Sequence, residues 1–504
     1  MLGTIISNEE TPSTKEFCFV LGPERVVSIG QLIKVRLSHS AQSENNKAGE
    51  IVAIVKRITR QNRYYEFAES ISQYSKEAKS FETSFPARDW EYTTIFCTIL
   101  GNYVEGNLTR CGFPPSPGDA VFDVEPEVTK KVLGITDNGL LLGHLLASDL
   151  QCTVDISRLL QKHLAVLGMS GSGKSHLVNV IIEELLKRDP NTGRLAVIVL
   201  DPHGDYAGFS HPASPFREST IVVKGDAIQI SAAHLSASLL SELVPSLTAA
   251  ARREYSKLFA KVKEACANEG KPITLDELIT ASYESTKTNL SDVLDEVSQL
   301  KLFGAFDSPG VNIVKPGKLV VFDLSNLNNR AKQVVAWFFG RKLFNQRRQG
   351  NTPPFVLVVE EAHLFAREKA KSENSISKPV IESIAREGRK FGACLCLVSQ
   401  RPVQLSTTAL SQCNSFIVMR VTNPYDLQHI GESCEGIDKN SLDAITTLRP
   451  GEGIVIGEAT NFPTFVKIRP KSTLGASSVK LEDLAKEFES KTVELKPSDV
   501  DAFL

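Results

Sequence analysis

Gly168-Met169-Ser170-Gly171-Ser172-Gly173-Lys174-Ser175 decides how the rest of this chain is read. It spells G-x-x-x-x-G-K-S. The apolar run Leu164-Ala165-Val166-Leu167 leads into it, and a helical pattern from His176 to Lys187 leads out. Strand, glycine loop and helix, in that order, are the context in which this spelling forms a phosphate-binding P-loop. Glycines let backbone N–H groups close around phosphate oxygens, and the helix N-terminus adds positive potential. In such a loop Lys174 reaches the β- and γ-phosphates and the Ser175 hydroxyl ligates Mg²⁺. Gly168, Ser170, Gly171, Ser172, Gly173, Lys174, Ser175 and His176 are the expected binding set for a nucleoside triphosphate. A chance glycine/serine turn is the alternative, and the flanking strand and helix argue against it.

A second diagnostic stretch lies downstream, Phe355-Val356-Leu357-Val358-Val359-Glu360-Glu361-Ala362-His363. Five apolar residues ending in two acids form a Walker B arrangement. Glu360 is expected to hold Mg²⁺ through its water shell, and Glu361 to polarise the attacking water. The first acid is more often Asp in P-loop proteins. Glu is one methylene longer, which indirect coordination tolerates. The structural alternative is a pair of acids capping the next helix. Another apolar run, Ala393-Cys394-Leu395-Cys396-Leu397-Val398, ends in Ser399-Gln400-Arg401-Pro402. A polar residue at the tip of a strand beside Walker B can sense the γ-phosphate, which makes Gln400 a candidate.

Further strands are expected at Leu195–Leu200, Thr220–Val223, Lys318–Leu324 and Phe416–Arg420, with a terminal hairpin made by 448–457 and 464–468. Ligands bind beyond the carboxyl ends of strands in such sheets. That makes the polar residues of Asp201–Tyr206, just beyond Leu195–Leu200, candidates for the site, with Asp201 either a site residue or a loop cap. From about Ala227 to Pro309 the period becomes helical, with Leu235, Leu239, Leu240, Leu243 and Leu247 on one face and no continuous strand. The polar segment Arg367–Lys390 leans basic and holds Arg386-Glu387-Gly388-Arg389-Lys390. Such a run is usually a solvated face, but here an arginine could reach across a subunit boundary as a finger.

The N-terminal 130 residues or so are β-rich, with apolar runs at 16–21, 32–36, 50–55 and 94–100 separated by turns, the spacing of a small barrel or sandwich. A polar excursion is expected over 61–84, and Pro114-Pro115-Ser116-Pro117-Gly118 looks like a hinge before the following domain. A length of 504 residues suggests about three domains. With a net charge of −2 the molecule is no polycation, so nucleic-acid contact must come from a local patch. Nine scattered cysteines with no C-x-x-C pair fit reduced core thiols rather than zinc or disulfides. No signal peptide or membrane-length apolar run is read, so the expected location is cytoplasmic.

Together these pieces resemble the HerA family of the HerA/FtsK superfamily. The matching stretches are 163–175, Leu200–Tyr206 (LDPHGDY), Val358–His363 (VVEEAH), Ala385–Gly392 (AREGRKFG), Val398–Pro402 (VSQRP) and Leu448–Gly457 (LRPGEGIVIG). The resemblance implies an α/β fold: a RecA-like P-loop ATPase core, an N-terminal small β-barrel and an all-helical insertion. The expected domains are a barrel at 1–135, core at 136–226 and 313–470, the insertion at 227–312, and a tail at 471–504. It further implies a homohexamer with ATP and Mg²⁺ at the subunit interfaces and double-stranded DNA in the central channel. Catalysis would rest on Lys174, Glu361, Arg386 and Gln400, with Arg386 the finger in trans and Arg389 in reserve. Ser175 and Glu360 would serve the metal, and Arg367, Lys369 and Lys371 would line the pore. The partner would be a nuclease or another antiphage-defence effector docked on the ring. Two other readings compete with a translocase: an ATP-binding scaffold that activates an effector, and a pump for protein or conjugative DNA. A membrane anchor would favour the pump.

Overall fold

A computed structural model describes residues 1–7, 11–36, 49–62, 65, 72, 90–244, 246–283, 290–368, 376–434, 436–473, 482 and 485–486. Most of the excursion expected over 61–84, Lys369, Lys371 and nearly all of the 471–504 tail lie outside these residues. The first seven strands are β1 (Gly3–Ile6), β2 (Glu16–Leu21), β3 (Leu32–Arg36), β4 (Glu50–Asn62), β5 (Glu91–Val104), β6 (Asn107–Thr109) and β7 (Ala120–Asp123). They pair in the order β2-β1-β7-β3-β4-β5-β6, and a β2–β5 pairing closes all but β6 into a six-stranded barrel. Side chains alternate across a strand, so β4 sends Ile51, Ala53 and Val55 into the barrel core with Phe17, Phe19 and Ile33. Its other face, Val52 and Ile54, packs in a second cluster with Leu133 and Leu145. Burial on both faces explains why this strand reads as a continuous apolar run. The segment 114–118 proves to be a loop inside the barrel rather than a hinge after it. The four-residue β7 follows it and pairs with both β1 and β3, too short a strand to register in the sequence.

Thirteen strands follow: β8 (Leu140–Leu145), β9 (Gln151–Val154), β10 (Leu164–Leu167), β11 (Ala196–Asp201), β12 (Thr220–Lys224), β13 (Ile230–Ser231), β14 (Phe303–Gly304), β15 (Leu319–Asp323), β16 (Phe355–Val359), β17 (Ala393–Ser399), β18 (Ser415–Met419), β19 (Glu452–Gly457) and β20 (Thr464–Ile468). Eleven of them form one sheet, β12-β15-β11-β16-β17-β10-β18-β19-β20-β8-β9. From β12 to β18 all neighbours run parallel, and from β18 onward they are antiparallel. The β19–β20 pair is the expected terminal hairpin. Strands β8 and β9, which precede the glycine loop in sequence, extend the sheet beyond it.

Helices cover both faces of this sheet. On β10, Leu164 and Val166 join the cluster that contains Leu177, Ile181 and Leu185 of the helix Lys174–Lys187. Ala165 and Leu167 join the opposite cluster with the helix Asn329–Arg348 and the helices between 237 and 298. Each fully buried aliphatic chain in these layers contributes about 1.5–3 kcal/mol. The inserted helices are Ala237–Leu243, Ala249–Glu269, Leu275–Tyr283 and Leu290–Ser298. The Ser236 and Thr248 hydroxyls accept from Leu239 N and Ala251 N, which caps the first two of them. As expected, no continuous strand runs through the described residues of the insertion, but the two-residue β13 and β14 pair in parallel and tie its ends together.

The chain after β20 folds back onto the helix that follows the glycine loop. Glu183, wholly buried, accepts from Ser472 N (2.7 Å), Thr473 N (2.8 Å) and Thr473 Oγ1 (2.9 Å), and its other oxygen lies 2.9 Å from Arg469 Nη1. Burial raises the Glu183 pKa, but the Thr473 donors and Arg469 outweigh it and leave the carboxyl below its usual 4.5. A depressed folded-state pKa adds stability that is full above the unfolded value and lost as pH falls through the folded one. Glu183→Gln should therefore lower the urea midpoint at pH 7, by about 1–3 kcal/mol of stability. The gap between variant and wild type should narrow below pH 4.5. A gap independent of pH would show that the ionised form is not what holds the segment.

Candidate active site at the strand tips

The glycine loop is slung between two strand ends. Gly168 N donates to Ser399 O at the tip of β17 (3.3 Å), and Met169 N donates to Arg420 O just beyond β18 (2.9 Å). Gly171 and Gly173 have φ of +75° and +106°, a region that costs glycine nothing. A Cβ on Gly173 would lie 3.2 Å from Gly451 N, a tight contact that adds to the cost of its positive φ. Ser170 and Gly171 are exposed at the crest of the loop, whereas Ser172 and Lys174 are buried. The Lys174 ammonium donates to Met169 O at 3.1 Å. Burial lowers its pKa, partly offset by Glu361, Glu360 and Asp205. The His176 ring nitrogen Nε2 lies 2.8 Å from Arg469 O, so its imidazole serves the returning C-terminal segment. Its backbone N–H remains the group nearest the role expected of it.

Parallel pairing brings the two motifs together. In the sheet β10 is separated from β16 only by β17, so the loop and both acids emerge at the same edge. The Ser175 hydroxyl is 3.3 Å from Glu360 Oε1 and 3.4 Å from Asp205 Oδ2. Glu360 Oε2 accepts from the buried Tyr206 hydroxyl at 2.6 Å. Burial, abetted by Glu361 and Asp205, pushes the Glu360 carboxyl up to about 7, with Tyr206 and Lys174 pulling the other way. Glu361 has a left-handed backbone, φ +47° and ψ +50°, a strained state for a non-glycine residue that clusters at functional sites. Its Oε2 is buried without a hydrogen-bond partner among the described residues, 3.2 Å from His363 Nδ1 but off hydrogen-bond geometry. Burial raises the Glu361 pKa, but His363, Lys174 and the Gln400 amide prevail and keep it ionised, below 4.5. An ionised buried carboxylate whose Oε2 makes no hydrogen bond among the described residues can take a proton from water. The Ser175 hydroxyl with two carboxylate oxygens beside it is a donor set that suits a hard cation such as Mg²⁺.

Gln400 is half-buried immediately after β17, one residue past Ser399, whose hydroxyl lies 3.3 Å from His363 Nδ1. Arg386 ends the helix Lys378–Glu387 with its side chain 53% exposed, 3.8 Å from Glu382. Arg389 and Lys390 are exposed on the next turn, and Arg367 is exposed where it bridges Leu405. The structure thus gathers Lys174, Ser175, Glu360, Glu361 and Gln400 at one edge and leaves Arg386 on the surface. Asp201 resolves as a loop cap: it accepts from His203 N, Gly204 N and Tyr206 N at 2.8–3.1 Å. Asp205 and Tyr206 belong to the polar stretch beyond β11 that the sequence offers as site candidates, but it gives them no individual roles, and it gives His363 none. The available signal was adjacency: once β11 and β16 are taken as neighbours, polar residues just beyond β11 must face the Walker B acids.

Residues 140–343 match the family model described as Helicase HerA, central domain. A probable helicase of Methanocaldococcus jannaschii is 29% identical over 425 residues, 79% of this chain and 80% of the relative. The DNA double-strand break repair helicase HerA of Pyrococcus furiosus is 26% identical over 529 residues, 92% of this chain and 91% of the relative. Among solved structures, VirB4 of Thermoanaerobacter pseudethanolicus superposes with a TM-score of 0.52 at 15% identity. It covers 66% of this chain and 97% of that one, a likeness of fold.

Proposed function

We propose that this HerA-type ATPase of the HerA/FtsK superfamily works as a ring of six subunits that moves double-stranded DNA through its centre. The observation that carries the reading is the edge where Lys174, Ser175, Glu360 and Glu361 converge. It is an arrangement suited to ATP hydrolysis, and Arg386 stands on the surface away from it. Lys174 binds the β- and γ-phosphates, Glu361 orients and deprotonates the attacking water, and Gln400 senses the γ-phosphate. Ser175 and Glu360 would hold Mg²⁺, which when bound would neutralise charge on the phosphates. Arg386, exposed on its own subunit, completes the site of a neighbour, which makes turnover depend on assembly. Relatives named as DNA repair helicases support DNA as the track. Exposed basic residues such as Arg367 contact phosphates rather than bases, as a translocase indifferent to sequence requires. Cleavage belongs to a partner nuclease or other defence effector docked on the ring. No helix among the described residues is long and apolar enough to cross a membrane, and we place the ring in the cytoplasm.

The deciding experiment measures ATPase rate on size-fractionated protein with and without linear double-stranded DNA. Stimulation by DNA, confined to a species of six times the subunit mass and weakening steeply with salt, is expected. Hydrolysis unaffected by DNA in that species would point instead to a scaffold that arranges an effector.

A further inference from the structure

Glu360 divides its labour between two oxygens. Oε1 faces Ser175 at 3.3 Å, and Oε2 is held by the Tyr206 hydroxyl at 2.6 Å. Tyr206 is among the largest fully buried side chains of the molecule, and its phenol ends on the one group of the site that must keep a fixed orientation. The loop that carries it is itself fixed. Asp201 accepts from Tyr206 N at 3.0 Å, and Lys332 donates to Pro202 O at 3.0 Å. Glu360 N donates to Leu200 O at 3.2 Å, which ties the acid to the strand the loop leaves. The same loop presents Asp205, exposed, 3.4 Å from the Ser175 hydroxyl.

We propose that the loop after β11 sets the magnesium affinity of the nucleotide site, with Tyr206 turning Glu360 toward Ser175 and Asp205 supplying a second carboxylate. This rests on reading Ser175 and Glu360 as the metal-binding pair. Tyr206 acts through Glu360 and is a positioning residue, so its effect falls on the metal rather than on the nucleotide. A tyrosine serving the core alone would be replaced by phenylalanine without consequence for the metal. Outer-shell partners of a metal site typically alter metal affinity about 10–100-fold when removed.

The test titrates MgCl₂ into protein with a fluorescent ATP analogue, without DNA, and reads the midpoint of the magnesium-dependent signal. Tyr206→Phe should raise that midpoint about tenfold, with affinity for the analogue in EDTA and thermal midpoint in EDTA close to wild type. Asp205→Asn, a change at an exposed side chain, should raise it as well, and it carries the same readout if Tyr206→Phe does not fold. A midpoint within twofold of wild type in either variant overturns the role given to that residue. A wild-type protein whose analogue signal ignores magnesium overturns the metal-site reading itself. Because DNA is absent throughout, failure of the DNA-pumping reading leaves these outcomes unaffected.

Discussion

Glu361→Gln should remove ATP turnover by about two to four orders of magnitude while nucleotide binding survives, the range expected for loss of a general base. The substitution is nearly isosteric, and Gln accepts the left-handed backbone no less readily than Glu, so the φ of +47° is not disturbed. What changes is the charge. The carboxylate is kept ionised by His363, Lys174 and the Gln400 amide against the pull of burial, and among the described residues its Oε2 makes no hydrogen bond, with the His363 ring nitrogen 3.2 Å away. A carboxamide in that place cannot accept the water's proton. Binding is untouched because the groups that grip phosphate, the loop amides and Lys174, lie on another strand tip. Single-turnover hydrolysis and equilibrium binding of a fluorescent ATP analogue separate the two effects. Near wild-type turnover would move the base to another group, and loss of binding would recast Glu361 as a support for Lys174.

The order of legibility follows the range of the interactions concerned. The glycine loop is local: eight consecutive residues, a strand before and a helix after, and the structure has that local form. The Walker acids are nearly so, since Glu360 and Glu361 simply end a five-residue apolar strand. Strands buried on both faces, such as β16 and β17, announce themselves as continuous apolar runs. Short or edge strands do not: β7, β8 and β9 are defined by partners over 100 residues away or by a local hairpin without strong alternation. The site's supporting contacts are hidden for the same reason. Tyr206 meets Glu360 across 154 residues, and Glu183 meets Thr473 across 290. Both contacts depend on strand order, which the spacing of residues along the chain does not contain.

Arg386→Ala should be at least as damaging as the loss of Glu361, about 10³–10⁵-fold in turnover, the range over which an arginine finger acts. Here, however, the loss should be repairable by a second inactive protein. Lys174 is buried at its own strand edge, whereas Arg386 is half exposed at the end of its helix, the exposure that a residue acting on a neighbour requires. In a ring with head-to-tail interfaces each active site takes Glu361 from one subunit and Arg386 from the next. Co-expressed in equal amounts, Arg386→Ala and Glu361→Gln subunits therefore create some interfaces with both groups intact. Random mixing makes these up to roughly a quarter of all interfaces, because each interface is heterologous. Recovery of activity toward that fraction, from two proteins inactive alone, is the expected result. An arginine acting within its own subunit gives no complete site in any mixture, and a mixed ring as inactive as its parents would show that Arg386 is not a trans finger. The same mixture made with Arg389→Ala distinguishes the neighbouring arginine, since only the true finger both abolishes hydrolysis alone and is rescued in company.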